Sequence, residues 1–120
     1  MLNRKRGPLT YHQCRQTVTI YHREGNAIRR AIFHRAFLEC KKTQNVDKTG
    51  RREANSFLLV LPTDTPAVFM GDKVLPGEGP EVTMAEWGAF IPAKVQGLLV
   101  VQYADDKYYG TQMVHQEAGG

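Results

Sequence analysis

The chain is 120 residues long and 42% hydrophobic, with 16 Lys and Arg against 12 Asp and Glu for a net charge of +4. That length makes a single domain, residues 1–120, whose core can remove about 65% of the unfolded surface from water without help from disulfides or a structural metal. No apolar stretch nears the ~18 residues of a membrane-spanning helix, and the basic opening Met1–Arg6 runs into polar sequence where a signal peptide carries its apolar segment, so a cytoplasmic product is expected.

Residues 1–15 read as a basic N-terminal arm. Gln16 to His22 then alternates and is rich in β-branched residues, with Val18 and Ile20 on one face and Thr17, Thr19 and Tyr21 on the other, which predicts a strand. Arg23 to Asn26 supplies a turn, since Gly25 and Asn26 accept positive φ. The return from Ala27 to Cys40 fits both a helical and a strand period. The hairpin turn before it, and its Ile and Phe content, favour strand. The polar stretch 41–55 is predicted to be a long exposed, projecting loop or hairpin tip.

Phe57 to Leu61 is a continuous apolar run closed by Pro62 and the Asp64 to Pro66 turn cluster, the pattern of a buried strand. Gly71-Asp72 turns the chain into a short strand over Lys73, Val74 and Leu75, and Pro76-Gly77 and Gly79-Pro80 end it. These glycines lack the spacing of a phosphate-binding loop. Thr83 and Glu86 have the form of a capping box and predict one helical turn through Trp87, ended by Gly88. Lys94 to Tyr103 reads as a second buried strand, Asp105-Asp106 as a turn, Lys107 to Tyr109 and Thr111 to His115 as closing strands, and 116–120 as a flexible tail. The sum is an all-β fold, a small antiparallel β-barrel of about six strands with one short helix, and Val18, Ile20, Leu58, Val60, Leu99 and Val101 pointing inward.

Charge is split along the chain. Met1 to Leu61 holds thirteen Lys and Arg against four Asp and Glu, a net +9, whereas the remainder holds three against eight, a net −5. Such a division suits a basic face for nucleic acid, a molecule that packs head to tail in a ring, or solvated surfaces alone.

Little in the sequence points to chemistry. His12 with Cys14 and His22, or His34 with Cys40, are ligand types for zinc, but only His12 and Cys14 are closely spaced, so no metal or other cofactor is expected. Cys14 and Cys40 read as reduced, partly buried thiols, and His115 as a half-buried sheet residue. No carboxylate pair or triad signature is present, which argues against an enzyme acting on a small-molecule substrate. Trp87, Phe90 and Ile91 form the densest apolar patch outside the strands, read either as core or as an assembly contact.

One order of motifs stands out: Thr17 to Arg23, a charged return strand, Asp47-Lys-Thr-Gly50, Ser56 to Pro62, Gly71-Asp-Lys-Val-Leu-Pro-Gly-Glu-Gly79, and a final Val100-Val-Gln-Tyr103. It resembles the neck proteins of tailed phages and prophages, and is similar in layout to siphophage head-completion, stopper or head-tail connector proteins. The basic arm and the acidic segment Pro80 to Ala93 have no counterpart in that layout. The resemblance implies a virion protein made in the bacterial host cytoplasm and built into the neck as a homo-oligomeric ring, a hexamer or dodecamer. Its implied neighbours are a portal or adaptor ring and a tail terminator or tail-tube protein, around packaged double-stranded DNA bound without sequence specificity. On that reading Lys41, Lys42, Lys48, Arg51 and Arg52 of the projecting loop face the DNA channel. Trp87 and Phe90 with the acidic Glu78, Glu81 and Glu86 form the candidate assembly interface. A different class fits the composition as well, a nucleic-acid-binding OB or SH3-like β-barrel module with Tyr21, Phe33 and Phe37 as stacking platforms beside Arg23, Arg29, Arg30 and Arg35.

Overall fold

In the computed structural model, residues 11–47 and 50–120 are described, the side chains of 42–55 excepted. The strands are β1 (Gln16–Glu24), β2 (Ala27–Asp47), β3 (Gly50–Pro62), β4 (Lys73–Pro76), β5 (Leu99–Val100), β6 (Tyr103–Tyr109) and β7 (Gln112–Gly119), and the one helical turn is α1 (Met84–Trp87). They form a single antiparallel sheet in the order β5-β4-β1-β2-β3-β7-β6, curled into a half-barrel.

Two strand switches produce the curl. The first is in β2, which pairs with β1 from Ala27 to Ala36 and with β3 from Phe37 to Asp47. Straight, its 21 residues would run about 70 Å at ~3.3 Å each, but the longest dimension of the molecule is 47 Å. β2 therefore bends as it changes partner, and an irregular register between Gln16 and Val18 of β1 lies at the bend. The Gln16 side chain carries the pairing across it, with its amide oxygen accepting from the Leu38 backbone N–H at 2.8 Å. The second switch joins the two ends of the sheet. β5 lies at one edge and β6 at the other, yet only Val101 and Gln102 separate them in the chain. Val101 exchanges backbone hydrogen bonds with Gly71 and Asp72 beside β4, and the Gln102 N–H donates to Gly119 of β7.

The core lies on the inner face and is built from Val18 and Ile20 of β1, Ala36 of β2, Phe57, Leu59 and Leu61 of β3, Val74 of β4 and Ala118 of β7, with Val68 and Val101 from the connections. This corrects the parity expected for β3. Leu58 and Val60 are only half-buried, and it is Phe57, Leu59 and Leu61 that point inward. A continuous apolar run carries no alternation from which parity can be read, and a shift by one residue exchanges the faces. Leu99 is half-buried and packs against the core from its edge. β1 is buried on both sides: Tyr21 belongs to a second apolar cluster with Phe90 and Leu98.

Of the two forms expected for 41–55, a loop or a hairpin tip, the second holds, with strand pairing from Lys41 opposite Ser56 to Asp47 opposite Gly50. Other expectations change. Lys94 to Gly97 forms turns, and the strand there is only Leu99–Val100. Asp105 and Asp106 lie inside β6, and the reversal comes instead at Gly110-Thr111 between Tyr109 and Gln112. Residues 116–119 belong to β7, with Ala118 and Gly119 buried, so they are not a flexible tail. Cys14 is buried and Cys40 exposed, both free. Residues 1–10 of the basic arm lie outside the described residues.

The turn glycines behave as their sequence context requires, with φ of +91° at Gly71 and +79° at Gly77. Open space surrounds the position of a Cβ at both. Replacing either with Ala is therefore expected to cost about 1 kcal/mol or more through backbone strain alone, read as a lower denaturation midpoint with an unchanged slope.

Candidate functional site

β7 accompanies β3 only as far as Leu58 opposite Gly119, and β1 leaves β2 at Ala36. Beyond those points β2 and β3 continue as a two-stranded ribbon with no third strand on either side among the described residues. Lys41 is exposed at its root. Lys42 pairs in register with Asn55, Arg52 with Asn45 and Arg51 with Val46, while Lys48 lies outside the described residues. Four of the five expected DNA-facing cations thus belong to one regular ribbon. Where it leaves the barrel, Cys40, Lys41 and Ser56 line a cleft of about 320 Å³ with Pro76, Pro92, Gly97, Leu98 and Leu99.

The candidate assembly residues divide. Phe90 is 7% exposed and packs edge-on against Tyr21 with ring centroids 4.7 Å apart, so it belongs to the core. Trp87 is half-buried, and one face of its ring is covered by the Lys73 ammonium, 3.9 Å from the ring centroid. Lys73 also donates to the backbone carbonyls of Phe90 at 2.6 Å and Trp87 at 3.1 Å, which ties the α1 region to β4. Burial pushes the Lys73 pKa down. Glu86 accepts from the Thr83 N–H at 2.9 Å and closes the helix cap. Glu78 and Glu81 remain exposed.

Glu78 is held in place by a clamp around Gly77 to Pro80. Thr19 Oγ1 donates to the Gly77 carbonyl at 2.7 Å and accepts from the Gly79 N–H at 2.8 Å. The Tyr21 hydroxyl donates to the Pro80 carbonyl at 2.7 Å, and Arg30 Nε to the Gly79 carbonyl at 2.9 Å. A Cβ on Gly79 would overlap the Tyr21 hydroxyl, so glycine is what allows this approach.

Buried polar groups that sequence reasoning missed organise the opposite flank. Gln116, 2% exposed, accepts from the N–H groups of Ala67 and Val68 at 2.7 and 2.9 Å. It donates to the Val68 carbonyl at 3.0 Å and to Asp106 Oδ1 at 2.9 Å. Asp72 accepts from the Phe69 N–H at 2.9 Å and lies 2.6 Å from His22 Nδ1. Burial pushes its carboxyl pKa up against the opposing pull of His22 and the Phe69 amide. Nothing marks these positions in sequence, because one polar residue in a strand looks alike whether it faces water or a buried loop. The turn they hold presents Phe69 at 39% and Met70 at 76% exposure.

On the outer face of β6 and β7, Tyr103 lies opposite Gly119, Asp105 opposite Glu117, and Lys107 opposite His115. His115 is 7% exposed, with Nε2 3.0 Å from Glu117 Oε2 and Nδ1 2.7 Å from the Tyr11 hydroxyl. Beside it, Tyr11 to Cys14, Phe37 and Val60 line a cleft of about 390 Å³. Burial pushes the pKa of both the Cys14 thiol and the Tyr11 hydroxyl up. Among the described residues no three His, Cys, Asp or Glu side chains are grouped to hold a metal.

The exposed aromatics are Phe69, Tyr103, Tyr108 and Tyr109. Of the expected stacking platforms, Tyr21 is fully buried and Phe33 packs half-buried against the core, while Phe37 is half-buried in the cleft beside Tyr11. Comparison with family models, curated proteins and solved structures returns no match to this chain.

Proposed function

We propose that the chain is a structural subunit of a phage neck, one copy in a homo-oligomeric ring that joins the DNA-filled head to the tail and helps retain the genome. The observation that carries this reading is the basic two-stranded ribbon standing beyond the half-barrel. A ribbon of this kind is at best marginally stable in water by itself, so its role lies in contact with something outside the subunit. Net charge of +9 on the N-terminal half suits double-stranded DNA, whose phosphates attract cations without regard to sequence. The resemblance of the motif order from Thr17 to Tyr103 to that of head-completion proteins supplies the setting.

The test is charge reversal at the ribbon, Arg51→Glu with Arg52→Glu. The variant is expected to fold, with the circular dichroism spectrum of the native chain. Particles carrying the variant should lose packaged DNA or fail to join tails. Full infectivity would remove the ribbon from the reading, and a monomer absent from purified virions would overturn the neck assignment.

A second reading, a single-strand nucleic-acid-binding barrel, draws on the exposed Tyr103, Tyr108 and Tyr109 of β6 with Lys107 among them. Bases stack on such rings with little regard to sequence. It requires salt-dependent binding of short single strands that is lost on Tyr108→Ala.

A further inference from the structure

We infer that the outer face and free edge of β6 and β7 dock the basic β2–β3 ribbon of a second copy of this chain. The inference rests on the ring reading above and names its subunit contact.

Three features of the fold point to that occupant. First, Asp105 and Glu117 sit directly opposite each other in the β6–β7 ladder. Like charges in that relation destabilise a sheet. Among the described residues neither has a Lys or Arg partner, and Glu117 is met only by His115. Among the described residues, then, this pair of carboxylates has no Lys or Arg within ion-pair distance, and a cationic partner would relieve it. Second, β6 is the last strand of the sheet, so along Tyr103–Tyr109 one row of backbone groups has no ladder partner among the described residues. An exposed edge of seven residues is a template for strand addition. Three exposed tyrosines along it add apolar area at low entropic cost.

Third, the ribbon is rich in cations, where this face sets Lys107 alone against Asp105 and Glu117. Both its edges are unpaired among the described residues, and its described positions between Lys41 and Glu53 carry Lys41, Lys42, Arg51 and Arg52 against Asp47 and Glu53. Within one subunit the ribbon and the β6–β7 face are different patches, so the contact is heterologous. Repeated from copy to copy it generates a ring when the rotation closes. Successive ribbon residues belong to opposite faces, with Lys41 and Arg52 at positions of one parity and Lys42 and Arg51 at the other. One set can thus meet the neighbouring subunit while the other stays available to DNA.

The experiment is the mass of the full chain in solution, by sedimentation, for three proteins and one mixture. The face variant is Asp105→Lys with Glu117→Gln, the latter keeping an acceptor for His115. The ribbon variant is Arg51→Glu with Arg52→Glu. The native chain is expected to sediment as a multimer, and each variant as a folded monomer at the same concentration. An equimolar mixture of the two should regain the multimer, because each then carries the charge that the other's patch needs. That rescue separates a contact from a loss of fold. Asp105→Lys alone, at an exposed side chain, keeps the test open if the double face variant does not fold, and is itself expected to lose multimer. Native-like multimers in both variants, or folded variants that stay monomeric when mixed, would overturn this contact and leave the ring reading standing. A native chain that is monomeric in solution and absent from virions would remove both.

Discussion

Leu59→Ala is expected to destabilise the protein by about 2–5 kcal/mol, whereas Leu58→Ala, one residue away, should cost about 1 kcal/mol or less. Leu59 is fully buried in the inner core with Phe57 and Leu61 on the same strand, while Leu58 is half-buried on the other face. Truncating Leu59 removes its transfer energy and leaves a cavity that the surrounding core fills only in part. Against a total stability of about 5–15 kcal/mol for a domain of this kind, the larger loss is a substantial fraction of the whole. Chemical denaturation of the two variants side by side reads the parity of β3 directly. Equal effects would mean that this strand does not present alternate residues to one core.

The second large effect is expected at Gln116. Three of its four hydrogen bonds hold the segment Ala67-Val68 against β7 and the fourth reaches Asp106, and Val68 is itself fully buried. Gln116→Leu keeps the volume but leaves the Val68 N–H and carbonyl without partners, at about 1–3 kcal/mol for each buried group. A total of about 3 kcal/mol or more follows, read again by denaturation. Gln116→Glu supplies a pH signature. The introduced carboxyl faces Asp106 and the Val68 carbonyl in a buried setting, and burial and the like charge raise its folded-state pKa against the opposing pull of the Ala67 and Val68 N–H groups. Its contribution is then favourable below the unfolded pKa and is lost as pH rises through the folded one. The deficit of that variant relative to the native chain should shrink on acidification, whereas that of Gln116→Leu should not.

Features governed by near neighbours were legible in the chain. The β-branched alternation of β1, the turn at Gly25-Asn26, the positive-φ glycines at 71 and 77 and the cap formed by Thr83 and Glu86 all appear where their residue types place them. Each depends on contacts within a few residues, so the local sequence carries the whole cause. The choice of strand over helix for Ala27 to Cys40 belongs with them, since the hairpin turn before it decided the matter.

The candidate site was legible only in part. The cations of 41–52 were visible as charge, but the choice between loop and hairpin stayed open, because a polar strand has no buried face to impose alternation. Phe90 looked available for assembly because nothing nearby in the chain announces that Tyr21, 69 positions earlier, will cover it. Asp105-Asp106 reads as a turn until β7 pairs with it.

What composition and local pattern settle, then, is an all-β chain with these turns and a charge divided between its halves. Folding in three dimensions decides the rest: the parity of Phe57 to Leu61, the change of partner in β2 after Ala36, the joining of the two sheet edges through Val101 and Gln102, and the burial of Lys73, Asp72 and Gln116. The physical reason is range. A turn or cap is stabilised by groups a few residues apart, but the face a strand residue occupies is set by whichever distant strand lies beside it, and that partner exists only once the sheet has curled.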